Sequence, residues 1–402
     1  MSGIEGKYIV LGVCGGIAAY KAAELVRLLT KQEALVKVVM TKNAEKFVGP
    51  ATFEALTHQT VCSDLFDRTD EAAISHIEWA QQADAVVIAP ATANIIGKMA
   101  GGIADDALST FLLAVTAPVI VCPAMNTHMY ESRAVQRNLK ILKDDGYLIL
   151  DPGQGELACG TVGPGRLPDP EQIFDRLVSA LTIKDFKGMH VLVTAGPTQE
   201  AIDPVRFISN PSTGKMGYAL AKAAEHRGAH VTLVSGPTDL LPPLNVEVIQ
   251  IQNTKEMAHA VMQRFDQVQV VIKAAAVSDY RPSLVVKHKI KKTDDPIHLE
   301  MIRNPDILKE IGRRKSKQIL VGFAAETQQL EENAATKLKS KNLDMIVGNL
   351  IGPMDSGFKA DTNRVALFHK DGTKEALPVM DKFAVANGIL DRILAISKKR
   401  TL

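Results

Sequence analysis

Two stretches of this 402-residue chain are built to hold phosphate. In one, Gly12-Val13-Cys14-Gly15-Gly16 follows the apolar run from Tyr8 and precedes a helical pattern; in the other, Ser212-Thr213-Gly214-Lys215-Met216-Gly217 comes after the run ending Thr194-Ala195-Gly196. A glycine turn ahead of a helix brings bare amide N–H groups up to an anion, and the helix end adds partial positive charge. Two such cradles suggest two sites. A dinucleotide site would need G-x-G-x-x-G and an acid at the end of the second strand. Here the first turn is G-x-x-G-G, and the second strands end in Met40-Thr41 and Val234-Ser235, so NAD is disfavoured. A hydroxyl such as Thr41 suits a phosphate oxygen, as a flavin mononucleotide would offer. Gly214-Lys215 lacks the full spacing of a Walker A loop.

Other candidates cluster around these turns. In the first half they are Ile74-Ser75-His76-Ile77, Ala89-Pro90-Ala91-Thr92-Ala93-Asn94 and Pro123-Ala124-Met125-Asn126-Thr127-His128-Met129-Tyr130. Pro90 and Pro123 each follow an apolar run, which puts the next residues at the carboxyl edge of a sheet, where α/β proteins bind ligands. By residue type alone His76 reads as a capping or core histidine before it reads as a base, and Asn126 as a helix cap. In the second half, Lys287, Lys289 and Lys291 alternate, which predicts three ammonium groups on one face of a strand. Taken alone they read as an edge strand protected by lysine. Beside Asp279, a natural Mg2+ ligand, and Lys337 with Lys341 at i, i+4 spacing, a triphosphate site accounts for them better.

The elements that must position these groups follow from the apolar periodicity. β-Branched runs at 35–40, 85–89, 119–121 and 147–150 alternate with helical patterns at 18–29 and 131–142. Strands covered on both faces by crossover helices give this alternation, so the fold class is α/β with two doubly wound, mainly parallel sheets. The Gly/Pro-rich stretch 151–168 reads as a lid or binding loop, and Asp169-Pro170-Glu171 opens a helix to about Leu181. A polar stretch at 182–188 marks the boundary, predicting domains 1–183 and 187–402. The second half repeats the scheme with strands at 189–194, 231–235, 246–251, 268–275, 319–324 and 345–347. A hairpin joins 365–369 to 373–377 through a type I′ turn at Asp371-Gly372, and a last helix spans 380–397.

Composition excludes several classes. Lys and Arg total 47 against 45 Asp and Glu, a net charge of +2, so neither nucleic acid nor a membrane surface is implied as partner. Four scattered cysteines without a C-x-x-C pair indicate no disulfide framework or zinc site and fit a reducing cytoplasm. The longest apolar run, 111–122, is short and broken by Thr116 and Pro118, and the N-terminus lacks the pattern of a secretory signal.

The first-half motifs resemble those of the flavin-dependent cysteine decarboxylase family, a Pro-Ala-Ser-Ala-Asn-Thr-like segment and Pro-x-Met-Asn-x-x-Met-Trp. This chain departs at Thr92, Ile95 and Tyr130, all mild changes. With Ala158-Cys159-Gly160, the run from Arg206 to Gly217 and Ala274-Ala275-Ala276-Val277-Ser278-Asp279-Tyr280-Arg281, the resemblance extends over nearly the whole chain. It is to the bifunctional enzymes that ligate phosphopantothenate to cysteine and decarboxylate the product in coenzyme A biosynthesis.

That resemblance implies FMN bound between subunits of a trimer, a dimeric ligase and further assembly to a dodecamer. It implies His76 as base, Asn126 as holder of the substrate carboxylate and Cys159 as proton donor. Gly12, Cys14, Gly15, Thr41, Ala89, Thr92 and Ser109 would hold the flavin. A cysteine carboxylate has no electron sink of its own, and oxidising its thiol to a thioaldehyde supplies one. For the ligase the resemblance implies CTP, Mg2+ or Mn2+, and an acyl-cytidylate. Lys289 would neutralise its charge, Asn210 orient the acyl group, and Asp279 work with the metal. Ala274, Ala275, Pro305, Asp306, Ile307, Leu308, Phe323, Lys337 and Lys341 would line the nucleotide site, with Arg206 serving a neighbouring subunit. A flavin-binding regulatory protein, or another flavin-dependent cysteine decarboxylase, would use the same first half but would not need the second.

Overall fold

In the computed structural model, residues 3–64, 72–157, 160–292, 296–326, 330–350 and 361–401 are described. The chain divides into two units, Met1–Thr182 and Ile183–Leu402. The first holds a five-stranded sheet in the order Leu35–Met40, Tyr8–Val13, Ala85–Ala91, Val119–Pro123, Leu148–Ile149. Every pairing in it is parallel. Such a sheet must be apolar on both faces, and Ala85–Ala91 and Val119–Pro123 are buried at every position. Helix Tyr20–Lys31 packs Ala22, Leu25, Val26 and Leu29 inward at helical spacing.

The carboxyl ends of these strands lie along one edge and run straight into the candidate residues. Tyr8–Val13 leads to the glycine turn, Leu35–Met40 to Thr41, and Ala85–Ala91 to Thr92, whose side chain accepts from Ile95 N as the cap of helix Ala93–Gly101. Val119–Pro123 leads to Asn126, cap of the short helix Thr127–Glu131. The helix expected from 131 begins at Arg133, because Ser132 accepts from Val135 N and starts a new helix there.

The expected lid loop is more ordered than its composition predicts. Gly153–Glu156 pairs antiparallel with Val162–Arg166. Gly165 has φ +141°, and a Cβ there would stand 2.1 Å from Met125 O, so only glycine lets this ribbon close on the strand-end loop. Ala158 and Cys159 lie outside the described residues.

The second unit carries an eight-stranded sheet, in the order Glu247–Gln250, His230–Ser235, His190–Ala195, Val270–Lys273, Ile319–Glu326, Met345–Leu350, Val365–His369, Lys374–Ala376. The last two strands pair antiparallel and the others parallel. Residue alternation assigns the faces: Val191 and Val193 pack with helices Lys215–His226 and Lys382–Thr401, while Leu192 packs with Thr254–Arg264, Ile307–Arg314 and Leu330–Ser340.

Two local expectations are corrected. The Lys287–Lys289–Lys291 stretch is not a strand. Tyr280–Pro282 pairs with Met301–Arg303, after which the backbone runs irregularly through 284–292. Alternation makes a strand only where an edge is available to pair with. The hairpin turn is a three-residue loop, not a type I′ pair. Gly372 N donates to His369 O, and His369 N to Thr373 O, both at 3.0 Å. Gly372 alone takes a left-handed φ of +88°, while Asp371 keeps a negative φ and accepts from Thr373 N instead.

Two candidate active sites

Over the carboxyl edge of the first sheet lies a cleft of about 860 Å³. Gly15 and Gly16 form its floor. A Cβ on Gly15 would meet Asn43 Cβ at 2.6 Å, so the turn can approach a ligand only as bare backbone. Thr41 lines the cleft with a buried Oγ1 that has no hydrogen-bond partner among the described residues. A buried hydroxyl left unpaired costs on the order of 1–3 kcal/mol. A phosphate oxygen would complete it, so the residues fit a flavin mononucleotide. Asn126 lines the opposite wall, its Oδ1 held by His128 N at 2.9 Å. Lys21 faces in from the first helix, paired to Asp169 at 3.0 Å. Lys98 sits between Asp105 and Asp106 at 2.5 and 2.6 Å. Burial pushes the Asp106 carboxyl up, but Lys98 and the Ser109 donors outweigh it and hold it below the usual range.

Of the residues expected here, Gly15, Thr41, Thr92 and Asn126 line the cleft. Gly12, Cys14, Ala89 and Ser109 lie beneath it. Gly12 is packing space, since its Cβ would meet Ile88 Cδ1 at 2.7 Å. Ser109 is buried in a reciprocal cap with Asp106. The Cys14 thiol is buried and pushed by desolvation up to about 12, which keeps it protonated. His76 falls in helix Ala72–Gln82 with its side chain outside the described residues, as is all of Cys159.

A second cleft, of about 740 Å³, opens at the carboxyl edge of the other sheet. It brings together Asn210, the Gly214 turn, Ala274, Ala275, Asp279, residues 305–308, Phe323, Lys337 and Lys341. The Asn210 amide is aimed by a hydrogen bond from Nδ2 to Ala276 O, at 3.2 Å. Asp306 caps helix Ile307–Arg314 and pairs with Lys341 at 2.9 Å. Its carboxyl is raised by burial but more strongly lowered by Lys309 N and Lys341. Ser278 Oγ and Asn349 Oδ1 line the same cleft, buried and without a hydrogen-bond partner among the described residues. Among the described residues no three His, Cys, Asp or Glu side chains cluster as a metal cage. Mg2+ commonly completes its shell with substrate phosphates, and Asp279 fits that arrangement.

Among the cleft residues that escaped the sequence reading, one carries a charge at a strand end. Lys273 ends strand Val270–Lys273 and lines the cleft, without an ion-pair or hydrogen-bond partner among the described residues. Desolvation, then Lys341, pulls its ammonium down to about 8. The available signal was a lysine closing an apolar run just before Ala274-Ala275-Ala276. Two expected residues are outside the lining: Lys289 is exposed on the irregular segment, and Arg206 sits in the turn beside Asp203 at 3.5 Å.

Fold and sites together define a two-unit α/β protein, each unit carrying a cleft at the carboxyl edge of its main sheet, the first with residues that fit a flavin and the second lined by lysines. Residues 2–182 match the family model described as Flavoprotein, and 186–396 match that of the DNA/pantothenate metabolism flavoprotein C-terminal domain. The chain is 51% identical over 400 residues to the coenzyme A biosynthesis bifunctional protein CoaBC of Bacillus subtilis, covering 98% of each chain. It is 45% identical over 396 residues to that of Escherichia coli strain K12, covering 97% of each. A solved C-terminal domain of a CoaBC protein is 45% identical, with TM-score 0.47, covering 54% of this chain and 99% of that one. The chain belongs to the CoaBC family, the bifunctional enzymes of coenzyme A biosynthesis that join a flavoprotein decarboxylase to a ligase. No helix among the described residues is long and apolar enough to cross a membrane.

Proposed function

We propose that residues 187–402 make 4′-phosphopantothenoylcysteine and that residues 1–183 decarboxylate it to 4′-phosphopantetheine. In the ligase step a phosphopantothenate carboxylate oxygen attacks the α-phosphorus of CTP, pyrophosphate leaves, and an acyl-cytidylate results. The cysteine amine then attacks the acyl carbon and CMP leaves. Asp279 would hold Mg2+, which when bound would offset negative charge on the triphosphate. Lys273, Lys337 and Lys341 offset its charge, Asn210 orients the acyl group, and Lys289 reaches the activated intermediate. The helix that starts at Ile307 adds its positive end.

In the decarboxylase, FMN when bound supplies the oxidation of the cysteinyl thiol that gives the departing CO2 an electron sink. Thr41 and the amides of Gly15 and Gly16 hold its phosphate. Asn126 holds the substrate carboxylate, His76 acts as base, and Cys159 returns a proton. We assign the protein to the cytoplasm, as an assembly of trimeric decarboxylase and dimeric ligase contacts amounting to a dodecamer. A binding-only flavoprotein would have no use for the second cleft.

The observation that carries this reading is the pairing, in one chain, of an orphan phosphate-type hydroxyl in one cleft with a lysine-lined acid-activating cleft in the other. Purified yellow protein given phosphopantothenate, CTP, Mg2+ and cysteine should yield 4′-phosphopantetheine, CMP and pyrophosphate by mass spectrometry. Colourless protein that leaves CTP intact would contradict it.

A further inference from the structure

The segment that carries Lys289 has no ladder of its own. Ser283 N still donates to Glu300 O at 2.9 Å, extending the short ribbon, but residues 284–292 then leave it. Two hydrogen bonds tie them to the turn at 202–206. Val286 N donates to Ile202 O at 3.0 Å, and Ile290 N donates to Asp203 Oδ2 at 3.1 Å. The two ties bracket Lys289.

Asp203 is built for this place. It is buried, 2% exposed. Its Oδ1 accepts from Val205 N and Arg206 N, both at 2.8 Å, and Arg206 Nη1 stands 3.5 Å from Oδ2. Burial raises the carboxyl, but the three backbone donors and Arg206 outweigh it, so the carboxylate stays ionised. Hydrogen bonds to a charged acceptor are stronger than neutral ones. The turn it organises leads directly into strand Phe207–Ser209 and so to Asn210.

We propose that Asp203 is a positioning residue for amide formation, its buried carboxylate pinning the Lys289-bearing segment to the turn that leads into Asn210. This rests on the assignment of Lys289 to the ligase reaction. An exposed lysine on an unladdered segment has many positions to lose on reaching its target, and a fixed neighbouring amide limits them beforehand.

Asp203→Asn retains an acceptor for Val205 and Arg206 but turns an NH2 toward Ile290 N–H, setting donor against donor. Ile290→Pro removes the same bond without touching the carboxylate. In the full-length protein, both variants should show faster amide exchange in 284–292 while Val270–Lys273 and Ile319–Glu326 keep their protection. Ligase kcat should fall on the order of tenfold or more, KM for cysteine should change little, and decarboxylation of supplied phosphopantothenoylcysteine should be unchanged. Unaltered exchange in 284–292, or faster exchange with full ligase kcat, overturns the proposal. Lys289→Gln, assayed in parallel, separates the two claims. Full ligase rate there removes Lys289 from the chemistry and the catalytic half of the proposal with it, whereas exchange still reports on the tether.

Discussion

The role proposed for Lys273 in nucleotide binding carries a pH dependence. With its pKa drawn down from 10.5 to about 8, the ammonium is present at neutral pH and is lost as pH rises through 8. The KM for CTP should therefore climb between pH 7 and pH 9, by roughly tenfold if one phosphate contact is lost. Lys273→Met should show the raised KM already at pH 7 and a flatter profile; an unchanged profile would remove Lys273 from nucleotide binding. Stability runs the other way. A lysine whose folded pKa lies below its unfolded value costs stability while charged, and the cost is relieved as pH rises from 8 toward 10.5. Lys273→Met should accordingly raise the melting temperature at pH 7. Thr41, Thr92, Asn126 and Asn210 were legible in the sequence because each follows a recognisable strand or glycine turn at the ligand edge. Lys273 was not, because its meaning depends on burial and on a neighbouring lysine, Lys341, that outweighs the nearby carboxylates, and neither is visible in a string of residues.

At the level of elements, apolar runs located the strands of both large sheets, since parallel strands must be apolar on both faces. What was illegible is pairing. The ribbon at 153–166 depends on Gly165 meeting Met125, and the lysine alternation at 287–291 found no edge to join. Ion pairs between distant elements are hidden for the same reason. Asp344 stands just ahead of strand Met345–Leu350, 2.7 Å from Lys315, and both side chains are almost fully buried. It also accepts from Leu320 N at 2.8 Å and holds Arg400 of the last helix. Asp344→Ala would leave the Lys315 ammonium buried without its partner, a loss of about 3–5 kcal/mol. Denaturant unfolding of the second unit should show it, and a loss under about 1 kcal/mol would mean that water reaches Lys315.

For the molecule as a whole, two clefts on two units predict separable defects. Asn126→Asp places a second carboxylate against that of the substrate, so ligation should continue and phosphopantothenoylcysteine should accumulate. Lys289→Gln should stop ligation yet convert supplied intermediate. Mixing the two variants should restore 4′-phosphopantetheine, because the intermediate can diffuse between them. Failure of the mixture, with each remaining activity intact, would mean that the intermediate is passed on without release. The chain divides at Thr182, beside the polar stretch 182–188 that interrupts two apolar patterns, but no composition rule reports how such halves exchange material.

The guanidinium that helps neutralise Asp344 belongs to Arg400, in the last turn of helix Lys382–Thr401. Replacing Arg400 by alanine would thus withdraw a counterion from the interior while leaving every cleft-lining side chain in place. The last turn of that helix becomes a condition of the second unit's durability, and an Arg400→Ala protein should age faster than its initial turnover would suggest.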